Sequence, residues 1–187
     1  MSTKSAAPSH IDKAYIQLVL YNPFFATLLL NLRKVQVGPN DTVRGQPMTM
    51  ATDGRTLWYS PKFCEEIGPK ATIGVLVHEA FHVALKHNLR RGHRDPMLWN
   101  IACDAAVNAL CIDAKFELPP GGVPPIRGKS AEEIYNDLLK QAQQQKKKNQ
   151  GPGDPSDQPG GDSDGDGDGQ PNGGQPGSSS EIGRAHV

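Results

Sequence analysis

Ile73-Gly74-Val75-Leu76-Val77-His78-Glu79-Ala80-Phe81-His82-Val83-Ala84-Leu85 is the stretch on which the fold turns. It reads as an apolar helix interrupted by three polar residues in the spacing H-E-x-x-H. Two histidines four residues apart lie roughly 40° apart around a helix, so His78 and His82 reach one point on one face. Glu79 stands about 100° round from His78, within reach of a water on a shared ion but not placed to displace the ligands. In such an arrangement zinc lowers the pKa of its water, and the carboxylate takes the proton as that water attacks a carbonyl. The competing reading is a buried helix with two satisfied histidines. A glutamate and two histidines are costly to bury on an apolar helix without a common task, which favours the metal.

A catalytic zinc usually keeps three protein ligands and an open position, so a third ligand is needed. His87, His93, Asp104 and Asp95 are the candidates. His87 lies nine residues after His78, about 180° round a continuous helix, and is expected to point away and interact with the last helical carbonyls. His93 follows Gly92, a turn able to swing it back. Asp95 reads as a helix cap. Asp104 is preferred: Asn100, Asp104 and Asn108 share one face at i, i+4 and i+8 of an otherwise apolar helix, and such a polar stripe requires a partner. That helix follows the motif helix, where thermolysin-like enzymes carry their carboxylate ligand. Asn100 and Asn108 are then candidates for supporting the ligands or touching substrate, or for capping and packing. Tyr59, His87, His93 and Arg90 are the candidates for stabilising an oxyanion.

Outward from the motif, a helical stripe of Ile11, Ala14, Tyr15 and Leu18 predicts a helix over 11–21. Asn22 and Pro23 open a second, to about Leu32. Residues 33–40 lose helical periodicity and end in a turn over 38–41. Residues 48–52 and 55–59 flank Asp53-Gly54 as a hairpin. Ser60-Pro61 caps a short helix to about Ile67, which Gly68-Pro69 ends, and the motif helix runs from about Lys70 to Leu89 or Arg90. Gly92 closes it. Asp95-Pro96 opens a helix to Cys111, with Leu98, Ile101, Ala105 or Ala106, and Leu110 facing inward. Residues 119–125 are irregular. Ser130 and Glu133 form a capping box for a last helix from Ala131 to about Lys147.

The net charge of zero hides an asymmetry: residues 1–150 carry 19 Lys/Arg against 13 Asp/Glu, and the remainder one Arg against seven acids. Arg90, Arg91 and Arg94 cluster without interleaved aromatics, which argues against a nucleic-acid partner. Cys64, Cys103 and Cys111 are odd in number and lack a C-x-x-C pair, as suits reduced thiols in the cytoplasm. No signal peptide is legible, and Pro23 and several polar residues interrupt the one membrane-like stretch, so no membrane partner is expected. Residues 1–9 are expected to be disordered, 10–148 to form the folded domain, and 149–180 to be a disordered acidic linker. Asp162, Asp164 and Asp166 imitate the start of a calcium loop, but position 12 is Gly173 rather than Glu. Residues 181–187 back-translate to GAG ATC GGA AGA GCA CAC GTC, which contains a common sequencing-adapter sequence. We expect them to be read-through rather than native, and the chain to be truncated inside its linker.

Four separated motifs occur in order: residues 50–55, 59–63, 77–87 and 99–108. Together they resemble the bacterial and phage family of metallopeptidase domains that precede a von Willebrand factor A-like domain, over about residues 10–140. The resemblance implies an α+β, helix-rich, zincin-like fold with a small β-hairpin or sheet beside the motif helix. It also implies one Zn2+ held by His78 and His82, Glu79 as general base, and a C-terminal partner domain that this chain lacks. The expected activity is peptide-bond hydrolysis on a peptide or protein substrate, with residues 48–52 or 56–59 lining the cleft. The alternatives are a binding or adaptor module with a structural or degenerate metal site, closed by His93 joining Asp104, and a metal-dependent hydrolase of a non-peptide substrate.

Overall fold

The computed structural model describes residues 9–38, 40–43 and 46–149. The expectations for residues 1–8, for Pro39 of the turn, for 150–180 and for 181–187 lie outside the described residues.

The first helix, α1 (His10–Tyr21), opens on a capping box in which Ser9 Oγ accepts from the Asp12 amide and Asp12 returns the bond to Ser9. Its stripe of Ile11, Ala14, Tyr15 and Leu18 is buried, as the spacing predicts. Pro23 starts α2 (Pro23–Leu30). Asn22 stands before it without a side-chain cap bond; instead its amide closes α1 on the Leu18 carbonyl at 2.8 Å.

The strands β1 (Arg33–Gln36), β2 (Thr42–Val43), β3 (Gln46–Pro47), β4 (Met50–Thr52) and β5 (Thr56–Tyr59) follow. Here β4 and β5 are the expected hairpin, antiparallel, with Asp53 Oδ1 accepting the amides of Arg55 and Thr56 in the turn. The sheet order is β1-β5-β4, and β1 runs parallel to β5. The segment that loses helical periodicity after Leu32 is thus a strand over Arg33–Gln36, which the sequence did not specify. Arg33–Gln36 is mostly exposed, so it carries no hydrophobic alternation, and its pairing with Thr56–Tyr59 comes from chain folding rather than local pattern.

Pro61–Ala84 forms α3, broken at Gly68, whose φ of 77° and ψ of 173° are open to glycine alone at low cost. The Thr72 hydroxyl reaches across the break, 2.8 Å from the Gly68 carbonyl oxygen and 3.1 Å from that of Cys64. The motif half of α3 stops at Ala84, short of Leu89, because Lys86 takes the left-handed conformation (φ 53°, ψ 40°); α4 (His87–Arg90) then starts in a new direction. Asp95 caps α5 (Pro96–Asp113) with 2.8 Å to the Leu98 amide, and the Ser130–Glu133 box caps α6 (Ala131–Asn149).

Leu18, Leu29, Met50, Leu57, Leu76 and Val107 fill the core between α1, α2, the sheet, α3 and α5. A second cluster around Trp99, Ala102, Ala106, Ile134 and Tyr135 joins α5 to α6. Phe25 packs edge-on against Phe81 and Phe116, tying α2 to α3 and to the segment after α5. Being covered on two sides, α5 buries most of its circumference. Leu110, expected inside, is on the remaining outer arc, whereas Trp99, Val107 and Cys111 are within. The molecule is the expected helix-rich α+β domain with a small sheet beside the motif helix. Among the described residues no helix is long and apolar enough to cross a membrane.

Candidate metal centre

Between α3 and α5 the two polar signals of the sequence meet. His78 and His82 come from one face of α3 and Asp104 from α5; all three are buried, and together they form a group able to hold a metal ion. The two Nε2 atoms are 2.9 Å apart, and Asp104 Oδ1 lies 3.3 Å from that of His82 and 3.7 Å from that of His78. A triangle with those sides has one point about 2 Å from every corner, the bond length zinc makes to imidazole and carboxylate.

His78 and Asp104 are each held from behind by an asparagine of α5. Asn108 donates through Nδ2 to the Val123 carbonyl at 2.8 Å, which turns its Oδ1 to His78 Nδ1, also at 2.8 Å. His78 Nδ1 therefore carries a proton and donates it, leaving Nε2 to the shared point. Asn100 Nδ2 donates to Asp104 Oδ2 at 3.2 Å, leaving Oδ1 on the histidine side. The polar stripe of α5 thus divides into one candidate ligand and two asparagines that orient ligands.

The protonation of the cluster follows from its geometry. Burial opposes charge on His78, but the Asp104 carboxylate, the Cys111 sulfur and Glu79 overcome it and push its pKa up to about 10. Burial holds His82 below its ordinary value, against the pull of Asp104 and helped by the neighbouring His78. Of the two facing Nε2 atoms, His78 is then the donor and His82 the acceptor. Burial would raise Asp104, yet hydrogen bonding and charge from His78 and His82 keep it below the usual carboxylate range.

Glu79 is fully buried, and neither of its oxygens has a hydrogen-bond partner among the described residues. Desolvation raises its pKa to about 8, opposed by His78 and assisted by Asp104. The Thr52 amide of β4 lies near enough to favour the charged form without completing a bond. An orphaned buried carboxyl costs several kcal/mol, and a divalent cation beside it is the charge that would offset this.

The other histidines separate. His93 is exposed and takes no part in the cluster, so the described residues do not gather a fourth ligand there. His87, expected to face away, is buried with its Nδ1 3.0 Å from His82 Nδ1. The correction comes from the break at Lys86, which the helical extrapolation did not include. Asp95 is a cap, as read. Arg90 is committed to Glu132, at 2.6 and 3.0 Å, and to the Leu85 carbonyl at 2.9 Å. Tyr59 packs against the main core.

Comparison with known proteins gives the same direction. A family model described as "Putative metallopeptidase domain" matches residues 6–185, a wider span than the four motifs cover. A relative from Thermotoga maritima, described as "Uncharacterized protein", is 28% identical over 117 residues. The aligned part is 61% of this chain and 28% of the relative, so this chain spans little more than a quarter of that protein's length. No solved structure matches. A match over nearly the whole length, with a buried His-His-Asp group where the motif lies, makes this chain a member of the putative metallopeptidase domain family.

Proposed function

We propose that the chain is a zinc-dependent peptidase domain in which His78, His82 and Asp104 hold one ion and Glu79 moves the proton. The observation that carries this reading is a single point about 2 Å from three donor atoms, beside a fully buried carboxyl with no hydrogen-bond partner among the described residues. A zinc ion at that point supplies Lewis acidity, polarising a carbonyl and making a water easier to deprotonate. Glu79 takes the proton of the attacking water and passes it to the departing amine. Asn108 and Asn100 hold His78 and Asp104 in place during this exchange.

The sheet supports a peptide as substrate. Thr49 bonds Ser60, and Asp53 bonds Thr56, so by antiparallel alternation Ala51 bonds Trp58, while Met50 and Thr52 turn their amides away from β5. Among the described residues β4 is the edge strand on that side, and the Thr52 amide is the one near Glu79. Met50, Ala51 and Thr52 are all buried, so an extended peptide would pair there, and bring its carbonyl toward the cluster, once what covers β4 moves aside. Three buried cysteines, none in a disulfide, support a reducing compartment such as the cytoplasm.

One observation favours a second reading. The cluster is closed, with His82, at 8% exposure, its most accessible member. A sealed site suits a structural metal in an adaptor acting through a C-terminal domain, von Willebrand factor A-like by the resemblance. Metal content tests the site that both readings share, and hydrolysis together with the cobalt form separates them. Metal content by mass spectrometry should fall to background in His78→Ala and Asp104→Ala. Glu79→Gln should keep its zinc and lose about 10²-fold or more of the hydrolysis of fluorescent casein. Undiminished hydrolysis by Glu79→Gln would sink the peptidase assignment. A zinc-loaded wild type inert toward casein, whose cobalt form ignores added small anions, would favour the structural metal.

A further inference from the structure

Helix α3 ends where nothing in its composition requires it. Val83, Ala84 and Leu85 would continue a helix, and on a continued helix His87 would lie about 140° round from His82 and face away from it. Instead Lys86, which is not glycine, occupies the left-handed region at φ 53° and ψ 40°. A non-glycine residue held there is a strained position that its surroundings must impose. Its consequence is local: the chain turns, α4 starts, and His87 enters the interior.

Several elements hold His87 once it is inside. The Trp99 indole N–H of α5 donates to its carbonyl at 3.1 Å, and the two rings meet edge-on at 6.1 Å. Arg90, braced by Glu132 of α6, donates to the Leu85 carbonyl beside the break at 2.9 Å. The imidazole itself meets His82 edge-on, ring centres 5.0 Å apart, with the two Nδ1 atoms at 3.0 Å.

We propose that His87 is a positioning residue for the metal ligand His82: its Nδ1 lone pair accepts the Nδ1 proton of His82 and fixes the tautomer that leaves Nε2 for the ion. The proposal rests on the metal reading above and goes beyond it by assigning a role to a histidine outside the ligand set. For His82 to offer Nε2 to a metal, its proton must sit on Nδ1, and His87 Nδ1 is the acceptor placed there. His87 must then carry its own proton on Nε2. Metal-bound histidines are commonly braced by a carboxylate or a backbone carbonyl. A neutral imidazole braces without adding negative charge, so Asp104 remains the one anionic donor of the three and the ion keeps more of its Lewis acidity. The same pattern serves His78, where the neutral Asn108 carboxamide accepts.

The test compares His87→Leu, which removes the acceptor, with His87→Gln, whose amide oxygen can replace it, and uses His78→Ala as the control for the metal site. Zinc affinity is measured by competition with a chromogenic chelator, and ligand geometry by the absorption of the cobalt(II)-substituted protein. We expect His87→Leu to bind zinc about 10- to 100-fold more weakly with altered cobalt bands, and His87→Gln to stay within about threefold of wild type with bands like its own. Wild-type affinity in folded His87→Leu overturns the proposal, and so does a loss in His87→Gln as large as that in His87→Leu. Should the leucine variant not fold, the glutamine variant decides: retained affinity supports the role, and a tenfold loss overturns it. Failure of the metal reading shows separately, as wild-type zinc affinity in His78→Ala.

Discussion

Glu79 and Lys86 are two residues that a stability criterion alone would not choose. Glu79 places a carboxyl in the core with both oxygens unbonded, and Lys86 holds a left-handed backbone without being glycine. Each makes sense through a neighbour: the His78–His82–Asp104 group beside the first, and His87 after the second. Lys86 can be tested without touching any of them, since it is exposed. The left-handed conformation costs a non-glycine residue about 1–2 kcal/mol, part of which glycine gives back as chain entropy. Lys86→Gly should therefore raise unfolding stability by up to about 1 kcal/mol in urea, with zinc affinity unchanged, whereas Lys86→Val should lower it by a similar amount. A glycine variant less stable than wild type would remove the strain from the account of the α3–α4 break.

At the scale of elements, the site depends on α3 and α5 lying close and on the segment after α5 folding back over α3. Gly74 marks that second approach. A Cβ built there would stand 1.8 Å from the Glu117 carbonyl oxygen and 2.8 Å from its carbon. The obstacle is backbone, which cannot rotate aside as a side chain does. Gly74→Ala should destabilise the domain by about 1–3 kcal/mol or more, although alanine is the better helix former at an unobstructed position. Urea unfolding measures this, and a neutral or stabilising result would mean that the 117 segment does not pack against α3 in solution. Much at this scale was legible from the chain. The breaks at Gly68 and at 92–95, the hairpin about Asp53-Gly54 and the caps at Asp95 and Ser130 rest on turn and cap chemistry, which acts over three or four residues. The parallel partnership of β1 with β5 was not, because β1, exposed on most positions, leaves no alternation to read, and a parallel pair needs a long connection.

The whole molecule offers a test that needs no substrate. The three donor atoms come from α3 and α5 and meet only when the chain is folded, so an ion held by them binds the native state and stabilises it by mass action. Zinc at about 100 times its dissociation constant should add about 2.7 kcal/mol. For a domain of this size that is a rise in thermal midpoint of roughly 5–15 °C, reversed by a chelator and absent in Asp104→Ala. Equal midpoints with and without zinc in the wild type would count against any metal at this site, catalytic or structural.

The sequence by itself determined what lies within one helical turn or one cap: His78, Glu79 and His82 share a patch because the α-helical repeat puts them there. It also marked the α5 stripe of Asn100, Asp104 and Asn108 as needing a partner, and so found the preferred third donor, because polar residues on a buried helix face are costly alone. Only the tertiary structure decided that the stripe faces the motif, that His93 stays outside, and that His87 turns in. Asn108 and His78 are 30 positions apart, and Trp99 holds His87 across 12. Contacts of that range depend on how helices pack and where one of them breaks, and neither periodicity nor spacing along the chain encodes them.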